Sequence, residues 1–289
     1  MSVPERLASF ASDGLLLSVR DEGPLDGPVV IALHGFPQTS ASWAAVTPRL
    51  VSAGYRVLAP DQRGYSRGAQ PQRVADYAMG ALTGDVLALA DAAGADRFAV
   101  LGHDWGAAVG WTLAGRHPDR VASLAAVSVP HPAALRRALA GPQLLRSWYM
   151  GLFQPPVLPE RLLRARGGAF ARRLLAGTGL PSLDASLRLL TDPRTATATL
   201  NWYRAIRLRG QLSAGRTRVP TLFVWSDRDT AIGRRAAEGA ADFVRAPYRF
   251  EVLRGASHWI PEERPDELAA LVIAHLRAHP VDEEPAAGA

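Results

Sequence analysis

The stretch GHDWG at residues 102–106 lies between an apolar run at residues 98–101 and a helix-like segment that continues to residue 116. Such a tight turn from a strand into a helix leaves room only for small residues at its flanks, and it exposes the central side chain, Asp104, at the top of the sheet. Sites in open α/β sheets form at this carboxyl end of the strands. The stretch therefore predicts a nucleophile elbow that carries an aspartate, although an aspartate that only caps the helix would give the same pattern.

Strand-like and helix-like segments alternate on both sides of the elbow, which is the pattern of a doubly wound α/β sheet. The run PVVIAL at residues 28–33 is continuously apolar, as expected for a strand that is buried on both faces of a parallel sheet. Strands are predicted at residues 14–20, 27–33, 55–59, 97–101, 121–127, 220–225 and 249–253, and helices at residues 42–53, 77–93, 105–116, 234–243 and 266–279.

The segment between residues 130 and 218 has a different pattern. It consists of Arg-rich, helix-like stretches punctuated by prolines, without a convincing strand, and the alternation resumes after it. We therefore predict a core domain formed by residues 1–129 and 219–289, with a helical cap inserted at residues 130–218.

The composition is that of an ordinary globular enzyme. Of 289 residues, 48% are hydrophobic and 21% are charged, which argues against a disordered or fibrous chain. No apolar stretch approaches the length of a membrane span, and the N-terminus lacks a signal-peptide pattern, so we expect no membrane partner and a cytoplasmic location. Without cysteine, the chemistry must come from oxygen and nitrogen groups. The sequence does not predict the oligomeric state.

The net charge of +6 is unevenly distributed. All 33 basic residues are arginine, and residues 131–215 contain thirteen of them against three acidic residues. These arginines occur at helical spacings that are typical of solvated faces, so we expect no nucleic-acid partner. If the excess surrounded the entrance of a site, it would attract anionic substrates, but a simple solvated surface is the favoured interpretation.

The motif HGFP at residues 34–37 follows the apolar strand. Hydrolases with a nucleophile elbow use this loop to donate one backbone N–H to an oxyanion hole, and the residue after the nucleophile donates the other. The expected donors are therefore the amides of Phe36 and Trp105. The alternative is an ordinary turn before a helix.

A triad also needs a base and an acid that orients it, and hydrolases of this kind supply them in the order nucleophile, acid, histidine. His258 follows the last predicted strand and is the candidate base. Two carboxylates, Asp227 and Asp229, follow the strand before it, and we prefer Asp229. The stretch VSVP at residues 127–130, where some hydrolases carry the acid, offers no carboxylate.

An aspartate nucleophile suits an electrophilic sp³ carbon. Its pKa is about 3.9, so the carboxylate is already ionised at neutral pH and can attack without a base. The product is an alkyl-enzyme ester on Asp104. Water activated by His258, with Asp229 orienting the imidazole, would then hydrolyse that ester.

Five stretches together resemble the soluble-type epoxide hydrolases of the α/β-hydrolase superfamily, from about residue 10 to about residue 278. They are HGFPQTSASW, DQRGYS, GHDWG, LNWYRA and GASHWIPEERP, in this order along the chain. The resemblance implies hydrolysis of a small-molecule epoxide to a vicinal diol, without a metal or an organic cofactor. It also implies two cap tyrosines, matched by Tyr149 and Tyr203, and a cis bond before Pro37.

Two other functions remain open at this point. Haloalkane dehalogenases use the same aspartate and a tryptophan at the position of Trp105, but they usually add a second halide donor, often an asparagine, where this chain has Phe36. Fluoroacetate-type dehalogenases typically place an arginine after the nucleophile. A ligand-binding homologue without activity predicts a damaged triad, whereas all partners of Asp104 are present here.

Overall fold

One sheet of eight strands organises the computed structural model, which describes residues 5–208, 210–211 and 213–281. The strand order is β1-β2-β4-β3-β5-β6-β7-β8, where β2 runs antiparallel to both of its neighbours, β1 and β4, and all later pairs are parallel. The strands are β1 Ser9–Ser12, β2 Leu15–Glu22, β3 Val29–Leu33, β4 Arg56–Pro60, β5 Phe98–His103, β6 Val121–Val127, β7 Thr221–Ser226 and β8 Tyr248–Leu253.

Helices connect the strands and cover both faces of the sheet. They are α1 Thr47–Ser52, α2 Met79–Ala92, α3 Trp105–Arg116, α4 Pro132–Ala138, α5 Gln143–Arg146, α6 Trp148–Leu152, α7 Leu158–Ala176, α8 Leu183–Thr191, α9 Pro193–Ala205, α10 Arg234–Glu238, α11 Ile260–Glu263 and α12 Pro265–Ala278. Short 3-10 helices occur at Ser40–Trp43, Val74–Tyr77 and Gly239–Phe243.

The central strands are buried on both faces, as predicted. Every residue of β3, β4, β5, β6 and β7 is buried. One face packs against α2 and α3, where Leu89 and Trp111 are fully buried, and the other packs against α1 and α12, where Leu50 and Val272 are fully buried. This double burial explains why these strands are continuous apolar runs instead of alternating ones.

Six helices, α4 to α9, lie between β6 and β7, and we call residues 130–218 the cap segment. Within its described residues there is no strand apart from an isolated bridge at Thr217. Helix α7 is interrupted at residues 165–168, where three residues have positive φ. Helix α9 begins after Asp192, whose carboxylate accepts a hydrogen bond from the Thr195 amide at 2.8 Å, so its first turn is capped. No helix in the described chain is long and apolar enough to cross a membrane.

One strand was missed and two predicted helices differ from the structure. Strand β1 was not predicted, because its sequence SFAS is short and mostly polar at the edge of the sheet. The predicted helix at residues 42–53 is a 3-10 helix followed by α1, and the one at residues 234–243 divides at Gly239 into α10 and a 3-10 helix. Glycine is a poor helix former, and it marks this second division.

Candidate active site

Asp104 lies at the turn between β5 and α3 with φ of 53° and ψ of −119°. Positive φ is uncommon for a residue with a side chain and tends to persist at functional sites, where the surroundings enforce it. The turn is also closely packed: a Cβ at Gly106 would lie 2.1 Å from the carbonyl oxygen of Leu33, and a Cβ at Gly102 would lie 2.4 Å from the carbonyl oxygen of Gly106. The predicted small residues are therefore required by space.

The two carboxylate oxygens of Asp104 have different neighbours. Oδ1 accepts a hydrogen bond from the Phe36 amide at 2.9 Å, and Oδ2 lies 3.3 Å from Nε2 of His258. In the described chain the Trp105 amide, the other expected donor, makes no hydrogen bond to this carboxylate. Oδ2 is therefore the oxygen that is free of backbone donors.

The loop that carries Phe36 is fixed by a buried histidine. His34 Nδ1 donates to the carbonyl oxygen of Gly35 at 3.0 Å, and its Nε2 accepts from the Gln62 amide at 3.1 Å. The Gln62 side chain donates back to the His34 carbonyl oxygen at 2.6 Å. Burial lowers the pKa of His34, which keeps the ring neutral and able to make both bonds. The peptide bond between Phe36 and Pro37 is cis, as the resemblance implied.

His258 contacts Asp229 and not Asp227. Its Nδ1 lies 2.7 Å from Oδ2 of Asp229, while Oδ1 of Asp229 accepts from the amides of Ala231 and Ile232 at 2.7 and 2.8 Å. Asp227 is exposed and accepts from the Gly255 amide at 2.7 Å. The geometry therefore places Asp229 beside the imidazole, and the two amides hold its carboxylate in that direction.

Asp104 and His258 change each other's pKa, and Asp229 adds to the change at His258. Burial alone would raise the pKa of Asp104, but hydrogen bonding and attraction to His258 outweigh it and lower that pKa. Burial alone would lower the pKa of His258, yet Asp229 and Asp104 together raise it to about 10. At neutral pH the site thus holds an imidazolium between two carboxylates.

Two tyrosines of the cap segment extend over this site. The rings of Tyr149, on α6, and Tyr203, on α9, lie 6.0 Å apart, and Tyr203 also packs against Trp105 and Phe36 at 5.2 and 5.1 Å. Burial, supported by the charge of Asp104, raises the pKa of both phenols. Both therefore keep their protons at neutral pH and can act as hydrogen-bond donors.

Two cavities meet at Asp104. The larger has a volume of about 270 Å³ and the smaller about 90 Å³, and both are lined by Asp104, Tyr149, Tyr203 and Ala231. The remaining walls of the larger cavity are mostly aromatic and aliphatic. They include Phe36, Phe153, Trp148, Leu174, Leu175, His258 and Trp259. The site is thus an apolar enclosure with a few convergent polar groups, as small-molecule sites usually are.

The family model for the alpha/beta hydrolase fold matches residues 28–265, which include the elbow, the cap segment, Asp229 and His258. The chain belongs to the α/β-hydrolase fold family. It is 35% identical to Epoxide hydrolase A of Mycobacterium tuberculosis, over 94% of this chain and 97% of that protein. It is 34% identical to Epoxide hydrolase 3 of Xenopus tropicalis, over 88% and 73%. The crystal structure of Epoxide Hydrolase A from Mycobacterium thermoresistibile superposes with a TM-score of 0.81 at 32% identity, covering 95% of this chain and 98% of that one.

Two polar residues of this α/β-hydrolase were missed in the sequence. His103 Nε2 and Ser128 Oγ both hydrogen-bond to the backbone carbonyl oxygen of His258, at 2.9 and 2.7 Å. Burial, and then the charge of His258, lower the pKa of His103 to about 4, so its ring is neutral and Nε2 carries the proton. The position of His103 inside the elbow motif was the available signal. Ser128 lies in VSVP, where the sequence argument concerned only the lack of a carboxylate.

Proposed function

We propose that this α/β-hydrolase opens epoxides to vicinal diols through a covalent ester on Asp104. The observation that carries the proposal is the shared cavity in which Asp104, His258 and the two cap tyrosines converge. Relatives named epoxide hydrolase that match over most of the chain support the same activity. We also propose that residues 130–218 act as the cap, since this segment supplies both tyrosines.

The first step forms the ester. Because Oδ1 of Asp104 is held by the Phe36 amide, Oδ2 is the oxygen that attacks a ring carbon of the epoxide. The carbon–oxygen bond of the ring breaks, and the released alkoxide takes a proton from the hydroxyl of Tyr149 or Tyr203. Because their pKa values are raised, both phenols are protonated before the reaction begins. They can therefore supply this proton without a metal or a further acid.

The second step hydrolyses the ester. A water molecule loses a proton to His258 Nε2 and attacks the carboxyl carbon of Asp104. Negative charge then develops on Oδ1, which already accepts the Phe36 amide, and we assign the Trp105 amide as the second donor in this intermediate. The bond to Oδ2 breaks, the diol leaves with that oxygen, and His258 returns the proton to it.

The protons taken up and released over one catalytic cycle balance if His258 changes its charge during that cycle. Ester formation removes the charge of Asp104, which is one of the two carboxylates that stabilise the imidazolium, so the pKa of His258 falls. The proton released at that point restores the tyrosine, and the neutral imidazole can act as the base. After hydrolysis, Asp104 is a carboxylic acid that holds the second proton of the water, and it transfers this proton to His258. Asp229 orients the ring throughout through Nδ1.

A panel of three substrates tests this proposal against its alternatives. We expect diol formation from styrene oxides, no halide release from bromoalkanes and no sustained turnover of p-nitrophenyl acetate. Halide release without diol formation would instead favour dehalogenation, in which Trp105 binds the leaving ion. No turnover of any substrate would favour a ligand-binding homologue. Asp229→Asn should slow diol formation strongly, whereas Asp227→Asn should not, because only Asp229 contacts His258.

A further inference from the structure

The cap segment exposes an unusual amount of large hydrophobic surface. In the described chain, Leu144 is 61% exposed, Leu145 is 78% exposed and Trp148 is 55% exposed. Val157 and Leu158, at the start of α7, are also at least half exposed. Outside the cap segment, Leu16 on β2 is the comparable case among the described residues. Contiguous exposed apolar surface on a protein often marks an interaction site.

The three side chains share one face of the short helices α5 and α6. Gln143 and Ser147, four residues apart, are buried and hydrogen-bonded to each other, and Gln143 also donates to the Ala231 carbonyl oxygen at 2.7 Å. Leu144, Leu145 and Trp148 occur at i, i+1 and i+4 on the other side. We call these three residues the cap apolar surface. It faces solvent because the opposite side of the helices is anchored to the core.

The cap segment that carries the cap apolar surface is strongly cationic. No acidic residue occurs between residues 120 and 159. The first one after that stretch, Glu160, is buried and paired with Arg204 at 2.8 Å. Arg161 and Arg164 are exposed on α7 and have no ion-pair partner in the described chain. A cationic segment that also exposes leucine and tryptophan is the combination that an anionic lipid surface attracts.

The cap apolar surface is continuous with the entrance of the site. Trp148 and Arg146 both line the larger cavity that contains Asp104. Arg146 donates only to backbone carbonyl oxygens, those of Asp229 and Thr230, so its charge is not neutralised by a carboxylate. If another surface were bound to the cap apolar surface, a small molecule released from it would enter the cavity directly.

We propose that the cap apolar surface binds the surface of an anionic phospholipid bilayer, with Leu144, Leu145 and Trp148 inserted at the level of the head groups. Tryptophan favours this level because its ring is apolar and its N–H is polar. The exposed arginines of the cap segment add attraction to anionic lipids, which a purely apolar protein interface would not use. The proposal revises the expectation of no membrane partner, because that expectation rested on the lack of a membrane-spanning segment and contact with one surface of a membrane needs none. Lipophilic molecules dissolved in the bilayer would then reach the cavity without crossing water.

Vesicle co-sedimentation tests the proposal without any measurement of turnover. The purified full chain is mixed with vesicles of phosphatidylcholine alone or of phosphatidylcholine with phosphatidylglycerol, and we expect it to sediment with the second only. The variant Leu144→Gln/Leu145→Gln should bind about tenfold more weakly or worse, because these side chains contribute much of the apolar area that the lipid would bury. Leu16→Gln is the control and should bind like the wild type, since Leu16 is also exposed, at 56%, but lies on β2 outside the cap segment.

The contribution of charge is tested in the same assay. Arg161→Gln/Arg164→Gln should weaken binding to the anionic vesicles, whereas Arg20→Gln/Arg73→Gln removes two exposed charges from the core and should not. Equal sedimentation with neutral and anionic vesicles, no sedimentation with either, or equal losses in the two leucine variants would overturn the proposal. The alternative is that the cap apolar surface binds a second copy of the chain, and sedimentation equilibrium without lipid tests it. This alternative would be supported if the wild type self-associates, the Leu144/Leu145 variant does not, and neither binds vesicles.

Discussion

Nε2 of His258 lies 3.3 Å from Oδ2 of Asp104, while Nδ1 of the same ring lies 2.7 Å from Oδ2 of Asp229. One imidazole therefore bridges two carboxylates in a site that is almost closed to solvent. Its charge is set by both of them, and the proposed ester on Asp104 would remove one of the two. The proton affinity of His258 is thus coupled to the charge of Asp104.

This coupling predicts a pKa change in a simple variant. Asp104→Asn removes one carboxylate, as ester formation would, so the pKa of His258 should fall from about 10 toward the ordinary histidine value of 6.5. The titration can be followed by NMR of ¹⁵N-labelled histidine, with the His258 signal identified from its loss in His258→Gln. Asp227→Asn is the control and should leave the titration unchanged. Identical titration curves in the wild type and Asp104→Asn would contradict the coupling.

The origin of the new oxygen tests Asp104 itself. Asp104→Ala should fold normally and lose essentially all turnover, because no other carboxylate reaches the same position. In a single turnover in ¹⁸O water, the first diol from the wild type should be unlabelled, since its new oxygen comes from Oδ2. Mass spectrometry of that diol gives the answer, and label in it would indicate direct attack by water.

The division of labour between Asp104 and His258 predicts a trapped intermediate. His258→Gln should still form the alkyl-enzyme but fail to hydrolyse it, because Asp104 needs no base and the ester does. Intact-mass spectrometry should show a persistent adduct of the substrate mass. His117→Gln, outside the site, should show none during turnover. If no substrate of the wild type gives an adduct in His258→Gln, the assigned roles are wrong.

Tyr149 and Tyr203 are expected to act through their hydroxyl groups. The double variant Tyr149→Phe/Tyr203→Phe keeps both rings and their packing but should slow ester formation by about 10²–10⁴-fold, the usual range for lost general-acid help. Rapid-mixing measurement of tryptophan fluorescence or quenched-flow mass spectrometry gives this rate. Tyr55→Phe, a buried tyrosine away from the site, serves as the control. Ester formation at the wild-type rate in the double variant would make both tyrosines structural.

Ser128 is expected to position His258 through its carbonyl oxygen. Ser128→Ala should lower the rate of ester hydrolysis by roughly 10- to 100-fold, because a small displacement of the base misaligns the water, while ester formation stays near the wild-type rate. Ser123→Ala is a matched control, since Ser123 is a fully buried serine on β6 whose hydroxyl has no hydrogen-bond partner. Equal slowing of both steps, or equal effects of the two variants, would indicate a general loss of stability.

The sequence by itself determined the fold and indicated the candidate nucleophile. The evidence for both is local: it consists of continuous apolar strands, alternating helices and small residues around Asp104. Each of these patterns can be recognised from residues that lie only a few positions apart. The order of the elbow, the acid and the histidine followed in the same way, because each candidate stands at the end of a recognisable strand. The edge strand β1 was not predicted because its sequence has no apolar pattern of its own.

Only the tertiary structure decided how distant residues meet. Asp227 and Asp229 are two positions apart in one turn, and their separation into an exposed carboxylate and a partner of His258 depends on the amides of Ala231 and Ile232. Ser128 reaches His258 across 130 positions of the chain. The outward direction of Leu145 likewise depends on which side of α5 the core anchors. Such contacts depend on how loops and helices pack against each other, and a local pattern of size and polarity does not encode that packing.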